Sequence, residues 1–254
     1  MRKPTFSPTK LTTYLTCRIK YHWAYMTPYG KWMRRPNPAF AFGSNLHRAL
    51  SYFHTAGGAE QLPPEAIHHA LEQLWSHTGF ETAQQSEFFK QHGHALIADY
   101  YQAHATQPSQ ATVLFTERTL RRDMGRYILT GRLDRVDELP DGTLEIIDYK
   151  SGRADVDEQQ VCNDLALHCY ALLVQKHYPD RPLRIAIYAL RPNKKATVPL
   201  AADALETFRE QLDRLVTQIL DEDWDWLTPR RIAHCAECAF LNLCAHQLRF
   251  RDTE

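Results

Sequence analysis

Residues 131–152 constrain this chain more than any other stretch. They read Gly-Arg-Leu-Asp-Arg-Val-Asp-Glu-Leu-Pro-Asp-Gly-Thr-Leu-Glu-Ile-Ile-Asp-Tyr-Lys-Ser-Gly, two apolar-patterned segments around a Pro140-Asp141-Gly142 turn. Val, Leu and Ile recur in both, so both read as strands of one hairpin, with Pro and Gly marking the reversal. Asp134 and Asp148 are equidistant from Asp141. A turn centred there sets the two aspartates opposite each other, with Cβ atoms about 5 Å apart. Asp148 and Lys150, at i and i+2, share a strand face. A one-residue slip would turn one aspartate away, so the reading rests on register.

Two carboxylates that close repel unless a cation sits between them. Hard oxygen ligands of this kind suit Mg²⁺ or Mn²⁺. A divalent ion beside a phosphodiester offsets its charge, lowers the pKa of a water and orients attack. Lys150 would hold or help activate that water and stabilise charge on the phosphate. The main-chain carbonyl of Tyr149 is a further oxygen ligand in reach, and Glu117, in a neighbouring strand, can approach the same place. The layout is that of a metal-dependent phosphodiester-cleaving site.

Gly131-Arg-Leu-Asp134-Arg-Val-Asp137 followed by Ile146-Ile-Asp148-Tyr-Lys150-Ser-Gly152 resembles the PD-(D/E)XK nuclease superfamily, specifically its RecB-like branch. Gly43-Ser-Asn-Leu-His47 resembles that branch's first motif. The resemblance implies His47, Asp134 and Asp148 as side-chain metal ligands, Tyr149 as a main-chain ligand, and Lys150, with the two aspartates, as the catalytic set. It also implies a restriction-endonuclease-like α/β core, a central mixed sheet flanked by helices. The branch usually carries Gln-x-x-x-Tyr in the helix after the lysine strand. Here either Asp164 and His168 or Ala166 and Tyr170 fill those positions, and neither pairing supplies a glutamine.

Cysteine spacing is the second signal. Cys235, Cys238 and Cys244 form Cys-x2-Cys-x5-Cys near one end of the chain, and Cys17 lies near the other. Four such thiolates suit a 4Fe–4S cluster or a tetrahedral zinc, with disulfides as a third option. Met1-Arg-Lys-Pro-Thr-Phe-Ser-Pro has no apolar run after its charges, so no secretory leader is expected. A cytoplasmic setting favours metal over disulfides. Ser7-Pro-Thr-Lys-Leu-Thr-Thr-Tyr-Leu-Thr-Cys17 and the C-terminal trio look like the ends of AddB-type subunits and CRISPR-adaptation nucleases, which implies an iron–sulfur staple joining the terminal segments. Cys162 and Cys169 are read instead as buried apolar residues on one helix face with Leu165 and Leu172.

At 254 residues and 44% apolar content, the chain is read as one elaborated nuclease domain, 1–254, with a helical insert over 48–110 and the staple at 17 and 235–244. No run is long and apolar enough for a membrane span, and no membrane partner is expected. Helices are expected over 7–25, from about 44 through His47, and over 63–77, 83–105, 157–178 and 202–220. Strands are expected over 112–120, 126–137, 144–150 and 183–190.

Thirty basic and thirty acidic residues cancel, so no net charge announces a nucleic-acid partner. Distribution then matters. Arg132, Arg135, Arg153 and Tyr170 are the expected DNA contacts. Arg34-Arg35, Arg121-Arg122, Lys194-Lys195 and Arg230-Arg231 could line a groove. Tyr21, Trp23, Tyr25, Tyr29 and Trp32 could stack unpaired bases. The expected activity is a Mg²⁺- or Mn²⁺-dependent deoxyribonuclease, an exonuclease on single-stranded DNA or duplex ends, in repair, recombination, CRISPR or mobile-element processing. The alternative is a non-catalytic DNA-binding or scaffolding subunit of a helicase–nuclease complex. No Gly-x-x-x-x-Gly-Lys-[Ser/Thr] motif occurs, so unwinding would need a helicase partner; a CRISPR-adaptation protein is the other partner the resemblance implies.

Overall fold

The computed structural model describes residues 3–33, 37–152 and 154–247. The short strand β1 (Thr5–Phe6) precedes α1 (Pro8–Thr16), α2 (Arg18–Tyr21), a π-helical turn (His22–Met26) and α3 (Tyr29–Trp32). Then come α4 (Pro38–Thr55), α5 (Pro64–Leu74) and α6 (Ala83–Thr106), followed by β2 (Thr112–Asp123), β3 (Ile128–Glu138) and β4 (Leu144–Lys150). After these follow α7 (Glu158–Cys162), α8 (Leu165–His177), β5 (Leu183–Ala189), β6 (Lys194–Leu200), α9 (Ala202–Leu220) and α10 (Leu241–Ala245). The chain divides into two compact units, one of residues 1–5 and 36–207, the other of 6–35 and 208–254.

The larger unit is built on a six-stranded mixed sheet. β3 pairs antiparallel with β2 along its length and with β4 over its second half. β4 and β5 are parallel, joined through α7 and α8, and β6 closes the order antiparallel to β5. This is the expected α/β arrangement, a mixed sheet with helices packed against it. β6 is a strand the sequence does not announce. Its Lys194-Lys-Ala-Thr-Val-Pro-Leu sequence buries only Ala196 and Val198, and Pro199 is tolerated because this strand lies at an end of the order.

Along β4, Ile147 and Tyr149 enter the apolar core made by α4, α5 and α6, with Leu46, Leu50, Phe53, Leu71, Ile97 and Tyr100. Each fully buried side chain of this size contributes about 1.5–3 kcal/mol. Asn37 caps α4 by accepting the Phe40 N–H at 3.0 Å, and Pro38 occupies the first turn. Buried Asn45 fixes the chain beyond α5, exchanging hydrogen bonds with Ser76 N (2.8 Å) and O (3.0 Å).

The expected helix over 157–178 is two helices. Asn163 ends α7, and the Asp164 carboxylate starts α8 by accepting from the N–H groups of Ala166 (2.9 Å) and Leu167 (3.1 Å). The break separates the two cysteines expected on one face: Cys169 is fully buried, but Cys162 is exposed.

In the smaller unit the expected helix over 7–25 is interrupted at Cys17, whose backbone is extended and whose Sγ caps α2 by accepting from Lys20 N at 3.3 Å. Ser7 caps α1 as expected. Tyr14 donates to Glu222 Oε2 at 2.5 Å, and Tyr21 stacks on Trp224 at 5.6 Å. Of the aromatics expected to stack on bases, Tyr21 is thus buried in its own unit, while Tyr29 and Trp32 are exposed.

All six cysteines are free thiols. Burial pushes the Cys244 thiol up to about 11, and the charges of Cys17, Cys238 and Cys235 add to the rise. Among the described residues, no three of the thiols lie within 4.8 Å of one another. A hydrogen bond from the Trp23 side chain opposes the rise at Cys244.

Candidate active site

The β3–β4 register pairs Arg135 with Ile147 and Val136 with Ile146. One step further, the same register sets Asp134 opposite Asp148, the arrangement the Pro140–Gly142 turn predicts. Alternation then carries Asp148 and Lys150 to the face opposite Ile147 and Tyr149. Asp134 and Asp148 are buried, at 8% and 5% exposure.

His47 comes from the third turn of α4 and joins the strands. Its Nδ1 lies 3.2 Å from Asp134 Oδ1 and 3.5 Å from Glu117 Oε1, and its Nε2 lies 3.1 Å from the Tyr149 carbonyl. The Tyr149 N–H donates to Asp134 Oδ2 at 2.8 Å. Lys150 Nζ lies 2.5 Å from Asp148 Oδ2. The four side chains expected to act together therefore converge, with Tyr149 main chain between them.

Glu117 is the residue on which sequence reasoning offers least. β2 shifts register between Val113 and Phe115; beyond the shift Thr116 pairs with Arg135 and Arg118 with Leu133. Glu117 thus falls opposite Asp134, with φ at 49°, a left-handed conformation that costs a non-glycine residue about 1–2 kcal/mol. His47, Glu117 and Asp134 form the group of potential metal ligands whose atoms lie within 4.8 Å of one another. A bulge leaves no mark in the apolar pattern, so only the acid's place in a neighbouring strand hints at it.

The electrostatics are those of a site short of positive charge. Burial pushes the His47 imidazole down, but the charge of Asp134 and hydrogen bonds to Asp134 and Glu117 outweigh it and lift the pKa to about 10. Burial lifts Asp148 to about 6 against the pull of Lys150. Burial lowers the Lys150 amine, yet Asp148, Asp164 and Asp134 more than offset this and hold it as an ammonium. Glu117 Oε1 and Asp148 Oδ2 are buried and held by ion pairs alone, to His47 and Lys150. Three carboxylates crowded around one histidine, with His47, Glu117 and Asp134 ligand atoms within 4.8 Å of one another, fit a divalent cation with oxygen and imidazole ligands.

Of the expected DNA contacts, Tyr170 and Arg132 line the cleft. Its volume is about 500 Å³ and it also contains Phe40, Gly43, Ser44 and Ser151. Tyr170 rather than His168 therefore reaches the cleft. The Tyr170 ring occupies space that only glycine leaves at residue 131, where a Cβ would sit 2.7 Å from it. Burial, then the charges of Asp148 and Asp134, push its phenol far up, keeping it a neutral donor. Arg132 is exposed and holds Glu117 Oε2 at 2.5 Å.

Arg135 is a correction. Expected at DNA, it is instead 5% exposed and faces away from Asp134. Its Nε donates to Asp137 at 2.7 Å and its Nη1 reaches His54 Nε2 at 2.7 Å, under Tyr100 and Tyr149. Burial and the Arg135 charge push His54 far below its usual pKa, keeping it neutral. Arg153, Arg34 and Arg35 lie outside the described residues. Lys194 and Lys195 pair with Asp155 and Glu145, and Arg122 binds the Leu172 carbonyl.

Residues 5–245 match the profile of the PD-(D/E)XK nuclease superfamily. An ATP-dependent helicase/deoxyribonuclease subunit of Streptococcus pyogenes serotype M49 is 28% identical over 167 residues, 63% of this chain and 15% of the relative. Its serotype M4 counterpart matches equally. The chain thus spans about 15% of the length of these curated relatives. Among solved structures, SSO0001 aligns over 98% of this chain and 89% of its own, at 14% identity and a TM-score of 0.41. A candidate exonuclease from Eubacterium rectale aligns over 71% of this chain and 84% of its own, at 10% identity and a TM-score of 0.29. No described helix is long and apolar enough to cross a membrane.

Proposed function

We propose that this chain, which belongs to the PD-(D/E)XK nuclease superfamily, is a deoxyribonuclease whose cleft hydrolyses the DNA backbone with Mg²⁺ or Mn²⁺. The observation that carries the reading is the convergence of His47, Asp134, Asp148 and Lys150, with Glu117 beside them, in one cleft. His47, Asp134, Asp148 and the Tyr149 carbonyl would hold the cation, with Glu117 in reach. The cation supplies charge to offset the phosphate and acidifies a water.

The chain's own residues do the rest. Lys150, held charged by its acids, serves as a hydrogen-bond donor that orients the attacking water and stabilises charge on the phosphate, rather than as a resting base. Arg132 and the Tyr170 hydroxyl flank the entry and position the backbone. The substrate we favour is single-stranded DNA or a duplex end, digested exonucleolytically. The similarity to helicase/deoxyribonuclease subunits of Streptococcus supports a helicase partner.

The four cysteines of the smaller unit are proposed to hold a 4Fe–4S cluster. The charges of Cys17, Cys235 and Cys238 reach the Cys244 thiol, and Trp23 hydrogen-bonds it, which supports a shared site for the four. A brown anaerobic preparation with stoichiometric iron supports this; a colourless one with zinc overturns it.

The activity is tested with purified protein and labelled single- and double-stranded DNA. Degradation that requires a divalent cation and falls at least about a hundredfold in Lys150→Ala is expected. DNA binding without cleavage, indifferent to chelators, would establish the scaffolding role instead.

A further inference from the structure

We infer that Phe40 stacks on a base of the strand being cut and thereby selects unpaired DNA, an inference that rests on the nuclease reading of the same cleft. Phe40 is a large apolar side chain left 76% exposed, on the first turn of α4. It makes no ring contact with any described residue, although it lines the cleft with Asp134, Lys150, Arg132 and Tyr170.

Its place on the helix supports this use. Phe40, Gly43 and Ser44, and His47 follow the i, i+3/i+4, i+7 spacing, so they lie along one face of α4. Seven residues of helix separate Phe40 from His47 by about 10 Å along the axis. A phosphate held beside His47, Lys150 and Arg132 therefore leaves the base of an adjoining nucleotide within reach of the Phe40 ring. Gly43 and Ser44 between them present almost no bulk, so the strand can lie against the helix.

Apolar contact with a planar base is the use that fits an exposed aromatic ring at the edge of a cleft that also holds Asp134, Asp148 and Lys150. Bases inside a duplex have both faces covered by their neighbours and cannot offer one to Phe40. Single strands and frayed ends can. Base–aromatic stacking discriminates little among the four bases, so Phe40 selects strandedness rather than sequence.

The test uses the full chain carrying Lys150→Ala to suppress cleavage, with Mg²⁺ and a fluorescent single-stranded oligonucleotide read by anisotropy. Adding Phe40→Ala or Phe40→Leu should raise Kd about 5- to 150-fold, and Phe40→Trp should restore binding. On an abasic strand of the same length the Phe40→Ala loss should vanish, because no base remains to stack. Leucine binding as well as phenylalanine, an equal loss on the abasic strand, or no strand binding by the parent protein would each overturn the inference. Circular dichroism of the variants separates misfolding from lost stacking. Failure of the nuclease reading looks different: the chain with Lys150 intact cuts no DNA, whatever Phe40 does to binding.

Discussion

The main-chain N–H of Tyr149 donates to the Asp134 carboxylate across the β3–β4 pair at 2.8 Å. One residue therefore sits between two acids and serves two layers. Its backbone touches Asp134 and His47 on the cleft side, while its phenol meets Tyr100 at 2.9 Å below the sheet. The buried ion pair of Arg135 and Asp137 lies in that lower layer, under the residue that closes the upper one.

Arg135→Met should destabilise the fold by roughly 3–5 kcal/mol, because Asp137 is left buried without its partner. Asp137→Leu in the same chain should recover most of the loss. Urea unfolding checks both; a single variant within about 1 kcal/mol of the parent would show that the pair behaves like a surface one.

Gly131→Ala places a methyl against the Tyr170 ring. We expect a loss of about 1–3 kcal/mol from overpacking, with reduced cleavage as Tyr170 leaves the cleft. Gly131→Ala with Tyr170→Leu should regain stability but not cleavage. Thermal melts and a nuclease assay separate the two; recovery of both would remove Tyr170 from the mechanism.

Glu117→Gln should weaken Mn²⁺ binding about tenfold or more, since the site loses a carboxylate that lies within 4.8 Å of the Asp134 and His47 ligand atoms. Electron paramagnetic resonance titration of Mn²⁺ measures it directly. Unchanged affinity would leave Glu117 as a partner for Arg132 alone.

His47 sets a pH dependence of definite sign. Its pKa is about 10 in the folded chain and about 6.5 unfolded. A raised pKa stabilises fully below about pH 6.5, and the gain is lost as pH climbs through about 10. The cation-free protein should lose Tm across that window more steeply than His47→Gln does. Binding of Mg²⁺ or Mn²⁺ near pH 8 should release about one proton. Calorimetry in buffers of different ionisation enthalpy counts it, and a count of zero would argue that no protonated imidazole is displaced.

The hairpin is legible because its information is local. The turn at Asp141 fixes the register, and β4 runs over 144–150 as its pattern predicts. Arg135 reads as a surface cation by residue type, though the alternation that sends Asp134 to the cleft sends its neighbour to the other side. The β2 register shift between Val113 and Phe115, which sets Glu117 opposite Asp134, is hidden because a register shift changes no residue type. Helix breaks at Cys17 and Asn163 are hidden because the residues that cap the next helix also fit the periodicity of an unbroken one. Phe40 carries no signal until the fold shows that nothing covers it.

The smaller unit takes its first segment from residues 6–35 and its second from 208–254. During synthesis every strand of the sheet emerges before the second segment exists. Cys17 must therefore wait, unmatched, while some two hundred residues are translated. Loading of the proposed cluster would then be a late maturation step, and a stalled ribosome would leave a nascent chain with a finished sheet and an orphan thiol.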